Sequence, residues 1–316
     1  MPHDRQSDRK PPRVKRATIA GFRRAAKAAK SGLKRYPKAL LASVRDPRGR
    51  KALAASAPPS LPDLAGHDLA AVWLGHASVL VRIAGMNVLA DPVFAHRIGV
   101  SLGPMTLGLS RLSPAPFLER ELPRIDLVLI SHAHFDHLDK PTLKRLANPR
   151  TKVITARKTA RLIPAGFGEV VELDWGCTLR IGDLDLSVVR PAHWGARTAL
   201  DRKRGYNSYV LRAGQRPGVL LAGDTAMTNA FNHLSNLALA VLGIGSYEPW
   251  VHAHATPEEA WTMFRACGAA RLLPVHHSTF PLGDEHIDEP MKRLLAAAGQ
   301  EHHRVIRAAP GAVWAA

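Results

Sequence analysis

Apolar positions recur along this chain in two rhythms. Short runs rich in Val, Ile and Leu read as strands at residues 69–74, 78–83, 87–89, 152–155, 206–211, 218–222 and 272–275. Residues 125–130 and 237–244 are apolar almost throughout, as strands covered on both faces are. Residues 179–181 and 184–189 flank Gly182-Asp183 and read as a hairpin. A helical rhythm starts after Pro141, with Leu143 and Leu146, and returns at 157–163 and 291–298. Another helix runs to Cys267 from Thr256 and Pro257, which suit its N-cap and first turn. Strands interleaved with helices predict an α/β domain. Residues 95–120, rich in Gly, Ser, Pro and Leu, show neither rhythm and read as one long loop. Leu102, Met105, Leu107 and Leu109 would give it an apolar face, either for an acyl chain or to cover the core.

The amino-terminal pattern differs. Residues 1–16 are polar, charged and Pro-containing and read as disordered. At 17–35, Ile19, Phe22, Ala26, Ala29 and Leu33 repeat at helical spacing among Arg23, Arg24, Lys27, Lys30 and Lys34. Residues 45–66, with four prolines, read as a linker. The chain therefore divides into a basic arm and linker, 1–55, and a folded domain, 56–316. Net charge is +18, but residues 1–51 hold 17 Lys and Arg against three Asp, a net of +14, which leaves +4 for the rest. Such an arm can lie on an anionic membrane surface, contact nucleic acid, or dock on its own domain. Its basic residues are spread throughout and no apolar core follows, so it does not read as a secretory signal. No apolar run approaches the roughly 18 residues of a membrane span.

The chemistry gathers at 130–139, Ile-Ser-His-Ala-His-Phe-Asp-His-Leu-Asp, with three histidines and two carboxylates in ten residues. This stretch lies between the 125–130 strand and the Pro141 helix start, at a strand's carboxyl end, where α/β proteins build sites. His132 and His134 alternate along extended chain, point the same way and can share one metal. Asp136 and His137 follow where the chain turns and can reach a second. Imidazole and carboxylate suit zinc, and iron or manganese as well. Two metals roughly 3.5–4 Å apart can clamp a hydrolytic transition state.

This H-x-H-x-D-H loop resembles the signature of the metallo-β-lactamase superfamily. The resemblance implies an αββα four-layer sandwich with a dinuclear site along one edge. It also implies a ligand set of His132, His134 and His193 for one zinc and Asp136, His137 and His276 for the other, with Asp224 between them. His193 follows a strand in Pro191-Ala192-His193-Trp194, and Asp224 sits in Gly223-Asp224-Thr225. His276 is favoured over its neighbour His277. Within the superfamily, Trp73-Leu74-Gly75-His76-Ala77, Asp91-Pro92, Ile244-Gly245-Ser246-Tyr247-Glu248-Pro249 and Glu285-His286-Ile287-Asp288-Glu289-Pro290 look like the N-acyl-phosphatidylethanolamine-hydrolysing phospholipase D branch. Asp91 then reads as the group that fixes a ligand histidine by hydrogen bond, or as a turn-forming Asp-Pro. His76 faces the site or is a satisfied loop histidine. Asp136 and His254 are the candidate catalytic groups; His254 orients substrate or protonates a leaving alkoxide, or else packs a helix start.

The function this resemblance implies is a zinc-dependent phosphodiesterase of phospholipase D type. It would act on N-acyl-phosphatidylethanolamine-like lipids through a metal-bridging hydroxide. The alternative is a hydrolase of a soluble lactone or ester, as in ascorbate-6-phosphate lactonase-like relatives. A nucleic-acid hydrolase fits less well, because the domain is nearly balanced in charge. All seven ligand positions are filled, which speaks against a non-catalytic scaffold. Only Cys177 and Cys267 are present, so a reducing compartment is the default. The expected setting is cytoplasmic and peripheral on a membrane, with a lipid or small-molecule substrate; a homodimer is allowed for.

Overall fold

The computed structural model describes residues 63–316, apart from Gly103, Pro104, Ala199, Leu200 and Arg202, together with Leu41. The helix expected at 17–35 lies outside these residues, as does the rest of the arm except Leu41.

One sheet opens with an antiparallel meander, β1 (Leu69–Trp73), β2 (Val79–Ile83) and β3 (Met86–Ala90). A separate hairpin follows, β4 (Arg97–Leu102) with β5 (Met105–Ser110). The sheet then continues in parallel through β6 (Leu127–Ile130), β7 (Lys152–Ala156) and β8 (Glu169–Leu173). The second sheet runs antiparallel from β9 (Thr178–Ile181) through β10 (Leu184–Val189) and β11 (Ser208–Ala213) to β12 (Gly218–Leu221). It finishes in parallel with β13 (Leu237–Gly243) and β14 (Ala269–Val275). The last strand, β15 (Val313–Ala315), returns to pair with β1.

Alternation along the strands sets the layers. Val79, Val81, Leu127 and Leu129 of the first sheet meet Leu186, Val188, Leu211 and Val241 of the second in one buried core. The opposite face of the first sheet packs on Leu143 of α1 (Lys140–Leu146). That of the second packs on Trp261 and Phe264 of α2 (Pro257–Ala266) and Leu294 of α3 (Glu289–Ala298). The result is the αββα sandwich. Both sheets have covered faces, which is why their central parallel strands read as unbroken apolar runs. Thr256 and Glu259 form a reciprocal capping box at the start of α2, whose first residue is Pro257.

The sequence reading needs three corrections. Residues 157–163 are not an α-helix; only Ala160–Leu162 make a 3₁₀ turn. The Glu172 carboxylate captures the backbone N–H groups of Lys158 and Ala160, both at 2.7 Å, and Pro164 follows. The 95–120 stretch is not a structureless loop, since it holds the β4–β5 hairpin. Gly99 faces Gly108 across that pair, and a Cβ on either would lie 2.0 Å from the partner strand's carbonyl oxygen. These glycines break the alternation that would have revealed the strands. β8 and β15 also went unpredicted; β8 is largely exposed and β15 is three residues long.

Strand sense decides where the site falls. β1, β3 and β6 end on one edge of the first sheet, and β10, β12 and β14 end on one edge of the second. The residues that follow these six ends include every ligand and catalytic candidate named from the sequence except His254, which precedes α2.

Candidate metal centre

The His132–His137 loop is shaped by its own backbone and by three distant residues. The N–H groups of His137 and Leu138 both donate to the His134 carbonyl (3.2 and 2.9 Å), and Asp139 caps α1 by accepting from Thr142 N–H. Asp91, directly after β3, takes the Ser131 N–H at 2.7 Å and the Ser131 hydroxyl at 2.6 Å. Its Oδ2 lies 2.7 Å from His137 Nδ1, so it fixes both the loop's start and the ring of one histidine. Arg197 reaches across from beyond His193 and donates to the carbonyls of Ala133 and Leu138 at 3.0 and 2.9 Å. Its guanidinium also lies 4.0 Å from the centre of the Phe135 ring. The third is Gly223 (φ +60°), whose absent Cβ leaves room for Ser131, only 2.8 Å from where it would stand.

Two groups of donors result. His132, His134, His193 and Asp224 form one, with ligand atoms all within 4.8 Å of one another; His76, Asp136, His137 and His276 form the other on the same criterion. Asp224 spans both: its Oδ2 is 3.7 Å from His132 Nε2 and His193 Nε2 and 3.1 Å from His137 Nε2, while its Oδ1 is 3.3 Å from His276 Nε2. Asp136 Oδ2 sits 3.3 Å from His276 Nε2 and 2.9 Å from His76 Nε2. The buried Nε2 atoms of His134 and His137 and Oδ2 of Asp224 have no hydrogen-bond partner. Buried polar atoms are rarely left so, and three such atoms among converging nitrogen and oxygen donors fit a divalent metal.

Electrostatics separate the two groups. Burial, reinforced by neighbouring histidines, holds His132 and His193 well below the ordinary imidazole pKa, so both are neutral. His137 and His276 are buried too, but facing carboxylates overcome that effect. Asp224, Asp91 and Asp136 raise His137 well above the ordinary value, and Asp224 and Asp136 raise His276. Asp136 and Asp224 stay ionised despite burial, because the surrounding histidines, His137 foremost, hold them well below the usual carboxylate range. The backbone is strained here as well: His76, Asp91 and His276 take positive φ values of 52°, 40° and 61°. Non-glycine residues hold such angles at a cost of about 1–3 kcal/mol each, and they cluster at functional sites.

A family model described as the beta-lactamase superfamily domain matches residues 86–277, which hold every residue of both groups except His76. The chain belongs to the beta-lactamase superfamily. It is 31% identical over 247 residues to N-acyl-phosphatidylethanolamine-hydrolyzing phospholipase D 1 of Caenorhabditis elegans, covering 72% of this chain and 68% of that one. It is 28% identical over 216 residues to a metal-dependent hydrolase of Pyrobaculum aerophilum, covering 66% and 84%. Among solved structures, the isothiocyanate hydrolase from Delia radicum gut bacteria shares the fold with a TM-score of 0.62 and 16% identity, over 78% of this chain and 98% of that one. This superfamily member is a metal-dependent hydrolase, with His and Asp clusters able to bind metal.

The remaining candidates fall into place around the clusters. His76 is buried against Asp136, close enough to serve as a donor itself. His254 Nδ1 stands 3.8 Å from Asp224 Oδ2, and His254 forms a third group of donors with Asp224 and His276. Burial lowers His76 to about 3 and His254 to about 4. His277 turns away from the clusters: it stacks on Trp73, ring centres 4.8 Å apart, and its Nδ1 pairs with Ser278 Oγ. Of the four apolar residues expected to give the 95–120 stretch a face, Leu109 packs on a buried cluster, as a cover over the core does. Ile98 and Leu109 of the hairpin pack with Val93 and Phe280, and the Phe280 ring lies 5.2 Å from that of His76. Sequence reasoning missed Arg197, whose only signal was a basic residue four positions after His193.

Proposed function

We propose that this chain is a phosphodiesterase of phospholipase D type, acting on N-acyl-phosphatidylethanolamine-like lipids with two zinc ions. Asp224 carries this reading, as one carboxylate facing both donor groups. The similarity to the Caenorhabditis elegans phospholipase supports the substrate class. His132, His134 and His193 would hold one ion and Asp136, His137 and His276 the other, with Asp224 shared; iron or manganese would also suit these donors. The ions would supply Lewis acidity and lower the pKa of water toward neutrality.

The protein's own groups do the rest. Asp91 holds the His137 ring in the orientation that turns Nε2 toward Asp224. The Ala253 carbonyl, 2.8 Å from His193 Nδ1, does the same for His193. His254, its Nδ1 3.8 Å from Asp224 Oδ2, would position the leaving group; kept neutral by burial, it would take up the proton released by the attacking water and pass that proton to the leaving alkoxide. The charge of residues 1–55 would bring the domain to anionic membrane.

The test is phosphatidic acid release from N-acyl-phosphatidylethanolamine vesicles by the zinc-loaded full chain, with His134→Ala as control. Release that disappears in the variant supports the reading. A wild-type chain that holds two metals and releases nothing overturns it, and the hydrolysis then belongs to a soluble ester or lactone.

A further inference from the structure

An open groove of about 770 Å³ adjoins the first donor group, lined by Arg190, Ala192, His193, Trp194, Tyr206 and His252 among others. One side is aromatic: Trp194 is 50% exposed and its ring meets that of His134 edge-on at 4.6 Å. Another side carries a fixed cation. The Arg190 guanidinium lies 4.2 Å from the centre of the Trp175 ring and 3.5 Å from the Tyr206 hydroxyl. Trp175 is itself held, since its indole N–H donates to the Tyr206 carbonyl at 2.6 Å. The neighbouring carboxylate, Asp174, is taken by Arg157 at 3.2 Å. Among the described residues no carboxylate pairs with Arg190, whose charge is therefore placed but not neutralised.

Stacking leaves the edge of a guanidinium free, and that edge presents the paired N–H groups that grip a carboxylate or phosphate. Arg190 lies three residues before His193, so their Cα atoms are at most ~11 Å apart. We infer that this groove binds the portion of the substrate beside the scissile bond, and that Arg190 recognises a second anionic group there, a carboxylate or phosphate. This rests on the proposed hydrolysis at the metal centre and sharpens its substrate class. The favoured substrate is a diester or ester whose alcohol side carries its own negative charge, as a serine headgroup does and an ethanolamine headgroup does not.

The experiment compares molecules that differ only in that carboxylate, using the metal-loaded full chain, Arg190→Ala and Arg190→Lys. Binding is measured by calorimetry with O-phosphoserine and phosphoethanolamine. Turnover is measured on vesicles of N-acyl-phosphatidylserine and N-acyl-phosphatidylethanolamine, and on the soluble pair glycerophosphoserine and glycerophosphoethanolamine. O-phosphoserine should bind about tenfold more tightly, a difference of about 1.4 kcal/mol. In Arg190→Ala that ratio should collapse to near one, and Arg190→Lys should restore part of it. Equal affinities in the wild type, or a preference that survives in Arg190→Ala, overturns the inference. A serine preference in the vesicle pair assigns the anion to a lipid headgroup, and one in the soluble pair assigns it to a free metabolite. If the binding preference is present but no diester is cleaved, the anion subsite stands and the phosphodiesterase reading falls. Cleavage with no serine preference has the opposite meaning.

Discussion

The two donor groups share Asp224 and one loop, whose Ser131 hydroxyl lies 2.9 Å from His132 Nδ1 and 3.3 Å from His137 Nδ1, but their surroundings differ. Behind the first stand weak, neutral partners: the Ala253 carbonyl on His193 and the Ser131 hydroxyl on His132. Its imidazoles are neutral, and it opens past Trp194 onto the Arg190 groove. Carboxylates crowd the second group. Asp91 backs His137, Asp136 lies between His76 and His276, and the two raised histidines answer that charge. One half of the centre is open and lightly held, and the other is buried and charge-dense. The open half is the side from which a substrate would enter, while the buried half is oriented from behind by Asp91.

Three substitutions test this contrast. Asp224→Ala should have the largest effect, because Asp224 serves both halves. Turnover should fall by more than the ~10–100-fold typical of losing a group behind a metal ligand, and metal content measured by elemental analysis should drop. Two metals retained in Asp224→Ala would mean that the halves are independent. Asp91→Ala should cost about 10–100-fold in metal affinity, read by chelator competition. It should do so chiefly for the ion held by His137, since Asp91 bonds that ring directly and reaches the first group only through Ser131, which lies against His132. Equal loss of both ions would break the contrast. Arg197→Ala comes third. It removes two charge-assisted bonds from the loop that feeds both halves, at a cost of about 1–3 kcal/mol in stability. Chemical denaturation measures that cost, and both ions should loosen together. Arg197→Lys should recover little, since one ammonium cannot span two carbonyls and also lie over Phe135.

How legible each half was follows from how its residues are spaced. His132, His134, Asp136 and His137 stand together between a strand and a helix start, so their chemistry could be read from the residues themselves. His193, Asp224 and His276 are single residues after separate strands, and only chain order within a recognised family drew attention to them. Contacts between distant residues left no local trace. Arg197 meets carbonyls 64 and 59 positions away, and Arg190 rests on a tryptophan from another strand turn. The β4–β5 hairpin was hidden because its two facing glycines erased the period-two pattern, although the same close backbone approach is what requires glycine there. The 3₁₀ turn at Ala160–Leu162 was misread because Glu172, on a neighbouring strand, supplies an acceptor that local propensity does not include.

The smallest predicted effect concerns His276 and His277, adjacent in sequence and opposite in setting. His276 faces Asp136 and Asp224, whereas His277 is 8% exposed and stacked on Trp73. Burial lowers His277 to about 4 from an ordinary 6.5, so the folded protein keeps it neutral where the unfolded chain would protonate it. Its contribution is complete above pH 6.5 and is lost as pH falls toward 4, at most about 1.4 kcal/mol per pH unit. Urea unfolding of metal-free protein between pH 7 and 4 should therefore show a shallower loss of stability in His277→Gln than in the wild type. The two should diverge progressively below pH 6.5. Parallel curves would mean that His277 gains a proton in the folded state without penalty. It would then have to reach an acceptor, and the distinction between the metal-facing histidine and its neighbour would fail.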